Sequence, residues 1–221
     1  MPFSPIHLLL FIVFVAALLA FVHIGILAVA FEKVGLSEDS AILLFFVSLI
    51  GSAINLPLFS VRAEAPTMPA PPPEWRGVLR APQRPPFAGR TMIAVNVGGA
   101  LVPIMFSAYL LRHSTLDPLQ VVLATGIVTW VAYAFSRPVP GLGIGMPIFI
   151  APITAALCGV LLGGDNSAAL AYIGGTMGVL IGADILRLRA IQTMGAPIAS
   201  IGGAGTFDGI FMTGIVAVLL A

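Results

Sequence analysis

Charged side chains make up only 9% of this 221-residue chain, against roughly a quarter in soluble domains. A water-facing surface cannot be built from so few ions, so an ordinary soluble globular domain is excluded as a reading. Cysteine is almost absent. Cys158 stands alone, which excludes an internal disulfide and a thiolate metal cluster and says little about the redox compartment. The three histidines, His7, His23 and His113, are scattered, and without cysteine partners they do not form a zinc-binding set. His23 reads as a satisfied core histidine and the other two as residues at membrane edges. A net charge of +1 supplies no basic face for nucleic acid. No metal or cofactor pattern is present.

What is abundant is apolar. Hydrophobic residues reach 59% and the mean hydropathy is +1.08, which predicts an integral membrane protein whose partner is the lipid bilayer, lodged in the cell inner (plasma) membrane. A spanning helix needs about 20 apolar residues, and such windows occur at 6 to 31, 40 to 60, 91 to 111, 118 to 136, 146 to 163, 167 to 187 and 199 to 221. The first has no Lys or Arg before it and is too long for a secretory core, so it reads as a retained span. The expected fold is an all-α, polytopic transmembrane helix bundle of about seven spans. It divides into a first transmembrane hairpin at 1–61, a Pro/Arg-rich cytoplasmic loop at 62–90 and a five-span membrane core at 91–221. Prolines in that loop favour extended, poorly ordered backbone. Its PAPPP run is also the kind of segment a protein partner reads; the oligomeric state is not legible.

Positive residues orient the bundle. With loop 62–90 inside, Arg62, Arg76, Arg80, Arg84, Arg90, Arg137, Arg187 and Arg189 all fall on the cytoplasmic side, eight of the ten Lys and Arg residues; Lys33 and Arg112 fall outside. That asymmetry predicts N-terminus in and C-terminus out.

With orientation set, a polar layer emerges in the inner half of the bundle. Asp184 lies three residues before Arg187, near the inner end of span six. Asp208 lies roughly 10 Å into span seven from the same side, at about 1.5 Å per residue. Asn55, Asn96 and Tyr133 sit a few residues inside spans two, three and four. Polar groups at such depth are expensive unless they meet one another or water. Gly174, Gly178 and Gly182 recur every four residues and predict a close-packing stripe on span six. Asp184 is about 200° round from that stripe, which makes span six central. On span seven Gly205, Asp208, Gly209 and Met212 share a face, and the glycines before Asp208 weaken the helix there. The alternatives are plain: Asp184 as an end residue paired with Arg187 or Arg189, and the two asparagines and Tyr133 as interhelical glue. Asp165 and Asn166 read as the outer N-cap of span six.

The elements GADILRL at 182–188 and GGAGTFDGIF at 202–211, with NVGGALVPI earlier, resemble a prokaryotic domain-of-unknown-function family of small multi-pass membrane proteins. That resemblance implies a membrane location and no particular chemistry. GTFD is also similar to the Gly-x-Gly-Asp motif of intramembrane aspartyl proteases, with Phe207 in place of the second glycine. The match implies Asp184 and Asp208 as a catalytic carboxylate pair, although the tyrosine before the first aspartate and the Pro-Ala-Leu element are absent.

Three functions fit these residues. In an ion- or proton-coupled transporter or channel-like protein, the preferred reading, Asp184 and Asp208 bind the ion or proton with Asn96, Tyr133 and Asn55 nearby. In a hydrolase the two aspartates share a proton and activate water. In a non-enzymatic membrane subunit the polar layer only fixes helix register.

Overall fold

The computed structural model describes residues 25–26, 29–63, 89–139, 143–193, 198–203 and 209–221. Most of the first predicted span with His7 and His23, most of the Pro/Arg-rich loop, and Gly205 and Asp208 lie outside them. The chain is mostly helical. Helical residues 29–33 precede α1 (Glu38–Gly51); α2 (Val102–His113), α3 (Pro118–Phe135), α4 (Ile150–Leu162), α5 (Ser167–Val179) and α6 (Gly209–Leu220) follow. Local chemistry sets several starts. Ser37 caps α1, with Glu38 and Asp39 in its first turn where the helix dipole favours acids. Asp117 and Gln120 form a capping box on α3, and Pro118 opens that helix without losing a needed donor. Asn166 sits at the N-cap position of α5, as expected, but its side chain caps nothing. It donates instead to Thr115 Oγ1 at 3.0 Å, tying two loops together at one end of the bundle.

α5 is the axis of the bundle. Leu170, Ala171, Ile173 and Thr176 are fully buried, and the helix packs on α2, α3, α4 and α6. Small residues make this possible. Gly174, Gly178 and Gly182 lie against Ala124, Val128 and Ala132 of α3, whose side chains are themselves fully buried. A Cβ on Gly174 would stand 3.1 Å from that of Ala124, and one on Gly178 only 2.5 Å from that of Val128. On other faces Gly159 of α4 meets Ala171, and Gly214 of α6 meets Tyr172 and Thr176. The close contact of α6 thus runs through Gly214, while Met212, placed on the packing face by its sequence position, is 40% exposed. Backbones that approach this closely gain dispersion contacts along the whole seam.

The all-α expectation is corrected at one end. β1 (Asn55–Arg62), β2 (Arg90–Asn96) and β5 (Ile198–Ile201) form a three-stranded sheet in the order β1-β2-β5, antiparallel then parallel. A two-stranded ribbon, β3 (Arg137–Val139) with β4 (Gly143–Gly145), lies between α3 and α4. The predicted spans at 40 to 60, 91 to 111 and 199 to 221 are each part helix and part strand. Hydropathy alone does not separate a short buried strand from a helix segment. Pro57, which has no N–H to give a ladder, sits on the edge strand where that costs least, beside an irregularity in the register between Pro57 and Phe59.

The two ends of the bundle differ. Lys33 Nζ donates to the carbonyls of Val218 and Leu219 at 3.4 and 3.2 Å, capping the last turn of α6 at the end that holds Thr115 and Asn166. The sheet and the C-terminal ends of α3 and α5 occupy the other. We expect Gly178→Ala to destabilise the protein by about 1–3 kcal/mol through overpacking against Val128. Gly126→Ala, on the same pair of helices but with open space around its Cα, should leave stability unchanged or raise it by about 0.5–1 kcal/mol. Thermal midpoints of the two purified variants in detergent check the pair; equal midpoints would show that the stripe is not tightly packed.

Candidate functional site

Two chain segments break their regular structure at the same place. β2 runs straight into a π-helical turn, Val97–Leu101, that leads into α2. β5 runs into Gly202 and Gly203, whose φ angles of +82° and +88° only glycine adopts without strain. Because β2 and β5 are parallel, with Val95 opposite Ile201, the two breaks emerge side by side. They touch through backbone: a Cβ on Gly99 would collide with the Gly202 carbonyl, and one on Gly202 with Ala100. Gly98 is pressed in the same way against the end of α1, at the Ser48 carbonyl and the Ser52 N–H.

Buried hydrogen bonds hold the crossing. Asn96 is fully buried. Its Nδ2 donates to the Ser52 carbonyl at 2.6 Å and to Asn55 Oδ1 at 3.1 Å, while its Oδ1 accepts from the Gly99 N–H at 2.7 Å. The last bond makes Asn96 the N-cap of the π turn. Asn55 stands directly opposite Asn96 in the β1-β2 register, and its Oδ1 accepts a second bond from Ser200 Oγ at 2.5 Å. Ser48 Oγ donates to the Gly98 carbonyl at 2.6 Å. One network thereby joins α1, β1, β2, the π turn and β5.

Asp184 reaches the same crossing from a different side. α5 does not end at Val179 but continues as a second π-helical segment, Leu180–Ile185, and π segments are frequent at functional sites. From it the half-buried Asp184 carboxylate accepts from the Gly202 N–H at 3.2 Å through Oδ2. The carboxylate therefore sits on the positive-φ glycine that separates β5 from α6.

Of the residues singled out from sequence, Asn55 and Asn96 are brought into direct contact, and Asp184 is brought to the neighbouring strand end. Tyr133 takes different partners. Its ring lies 4.2 Å below the Arg187 guanidinium, and its carbonyl accepts from Arg187 at 2.7 Å. Arg187 also donates to the Ser136 carbonyl at 2.9 Å and to Ser136 Oγ at 3.2 Å. That guanidinium caps the C-terminus of α3. Asp208 lies outside the described residues, and so does its distance from Asp184. Ser48, Ser52 and Ser200 were missed. The signal was present, since Ser48 and Ser52 are four residues apart on one helix face beside Gly51, but serine is unremarkable in hydropathy. Among the described residues no cluster of three His, Cys, Asp or Glu side chains could hold a metal.

A helix bundle with two strand-interrupted segments crossing at glycines, buttressed by buried amides and one carboxylate, is the class of protein that fold and site define. The chain belongs to the family described as a protein of unknown function, DUF1614, which matches residues 49–220. No curated protein and no solved structure matches the chain.

The Asn96 network makes a direct prediction. Asn96→Ala strands the Ser52 carbonyl and the Gly99 N–H in the interior and should cost about 2–4 kcal/mol. Asn55→Ala, at a half-buried position, should cost about 1 kcal/mol. Denaturant titration of both variants in detergent measures the difference; a larger loss for Asn55→Ala would overturn the assignment of Asn96 as the central residue.

Proposed function

We propose that this chain is a multi-pass protein of the cell membrane, with about seven spans, that carries an ion or proton, as a transporter or channel-like protein, by way of Asp184 and Asp208. The membrane part of the reading rests on what the outer faces of the helices present. Leu119, Val122, Ile127 and Trp130 of α3 and Ile153, Leu157, Val160 and Leu161 of α4 are all exposed, a surface that suits lipid and not water. Two helical stretches, Pro118–Phe135 and Gly164–Ala190, are long and apolar enough to cross a bilayer. Hydrocarbon cannot satisfy the free edges of β1 and β5, so we read the sheet at a water-facing end, with Arg62 and Arg90 on the cytoplasmic side and the C-terminus outside.

The transport part rests on one observation: the crossing of the two glycine breaks with the Asp184 carboxylate hydrogen-bonded to Gly202. Discontinuous segments that meet inside a helix bundle are the usual way such proteins expose backbone groups to an ion and let two halves move. An ionisable group at that point changes its interactions when it takes up a proton. The aspartyl-hydrolase alternative needs Asp208 within hydrogen-bond reach of Asp184, and no observed contact favours it over transport. A purely structural subunit is the remaining alternative.

Two measurements test the proposal. Alkaline washing should leave the protein in the membrane fraction; release into the supernatant would sink the membrane reading. Purified protein in vesicles should support a sodium- or pH-driven flux, read with an entrapped pH dye, that falls at least tenfold in Asp184→Asn and in Asp208→Asn. Full flux in both variants would eliminate the carrier role for these residues, and a cleavage activity lost in either variant would favour the hydrolase.

A further inference from the structure

At the sheet end of the bundle, α3 stops at Phe135 and the chain turns into the β3-β4 ribbon. An open groove of about 370 Å³ lies there, lined by Ala134, Phe135, Arg137, Gly145, Met146 and Pro147. Ribbon pairing sets Arg137 opposite Gly145. Arg137 and Arg187, both near this end of α3, behave differently. Arg187 is used up on Tyr133 and Ser136, whereas the exposed Arg137 has no side-chain hydrogen bond or ion pair among the described residues. Around the groove the surface is apolar: Phe135, Ile148 and Phe149 are 48%, 68% and 63% exposed.

An uncompensated guanidinium at one wall of a concave site, with exposed aromatic and aliphatic side chains beside it, matches a ligand that is anionic at one end and apolar at the other. Guanidinium binds phosphate through paired N–H donors, and basic pockets at the ends of membrane helices hold anionic head groups. We propose that this groove binds the phosphate of an anionic glycerophospholipid, with Arg137 as the head-group ligand and Phe135, Ile148 and Phe149 against its acyl chains. The site is separate from the glycine crossing. It rests on the membrane reading but not on transport.

The experiment is a lipid titration of the detergent-purified full chain, read by native mass spectrometry, with phosphatidylglycerol against phosphatidylcholine. One arginine contact near a membrane surface corresponds to about a fivefold preference for the anionic lipid, and wild-type protein should show it for the first lipid bound. Arg137→Gln should reduce that preference to near unity, Arg137→Lys should keep most of it, and Arg112→Gln, in the last turn of α2 at the other end of the bundle, should leave it unchanged. Ala134→Leu, which narrows the groove without touching the charge, supplies a second route should Arg137→Gln fail to fold, and should also weaken the preference. A preference retained in Arg137→Gln, or in Ala134→Leu when that is the variant available, overturns the proposal. So does its disappearance when millimolar inorganic phosphate is added, which would mark a free-phosphate site. Failure of the membrane reading has a different signature: purification without detergent and no binding of either lipid by any variant.

Discussion

Everything at the sheet end of this bundle depends on one close approach, the backbone of Gly99 against the backbone of Gly202. Neither position tolerates a Cβ, and neither segment could reach the other if both were regular helices of ordinary diameter. The approach demands that each segment leave regular α-helix as it passes, Gly99 in a π turn and Gly202 at the end of a strand. Each does so by entering as a strand and leaving as a helix. A broken backbone inside an apolar bundle then has unpaired N–H and C=O groups, whose burial costs several kcal/mol each without partners. Asn96 and Ser48 supply those partners, while Asn55 braces Asn96 and Ser200 braces Asn55 through side-chain bonds. Asn96 alone satisfies a carbonyl of α1, a side-chain oxygen of β1 and an N–H of the π turn.

That dependence runs in one direction. The glycines permit the crossing, the crossing strips hydrogen bonds from the backbone, and the buried amides restore them. The Asp184 carboxylate stands apart from this logic. The Gly202 N–H would be satisfied as well by a neutral oxygen, for which serine or asparagine would serve without the cost of an ionisable group beneath the apolar layer. The structure places an acid where a neutral acceptor would be cheaper. Asp184 lies about 200° round the helix from Gly182, so the stripe packs on α3 while the carboxylate meets the end of β5.

Much of the helical architecture was legible because its signals are periodic. The recurrence of Gly174, Gly178 and Gly182 every four residues marks one face of α5, and their contacts with Ala124, Val128 and Ala132 follow from that face meeting a small-residue face. Ser37, Asp117 and Pro118 announce helix starts by local chemistry. The sheet was not legible. Residues 90–96, RTMIAVN, form a short apolar run whose burial alternates only in part, and a hydropathy window merges it with the helix that follows. Its partner β5 lies more than 100 residues away, so no local signal pairs the two. Counted in helical rise Tyr133 shares a layer with Asn55 and Asn96; its partly exposed ring carries Arg187.

Asn55 and Asn96 illustrate the reverse case. Counted along helices they belong to a polar layer drawn from five spans, with no pairing between them in particular. The structure brings them together as facing residues of an antiparallel strand pair, with side chains on the same side of the ladder and a 3.1 Å hydrogen bond between them. A strand pair fixes such a contact more tightly than two helices do, because register is set by the ladder itself and a one-residue slip would turn both side chains away. The polar node is therefore rigid where β1 and β2 meet. Parallel pairing carries that registry on from β2 to the short strand β5, after which the positive-φ glycines begin. The positive-φ glycines Gly202 and Gly203 thus lie just beyond the registered ladder, while Asn96 lies within it.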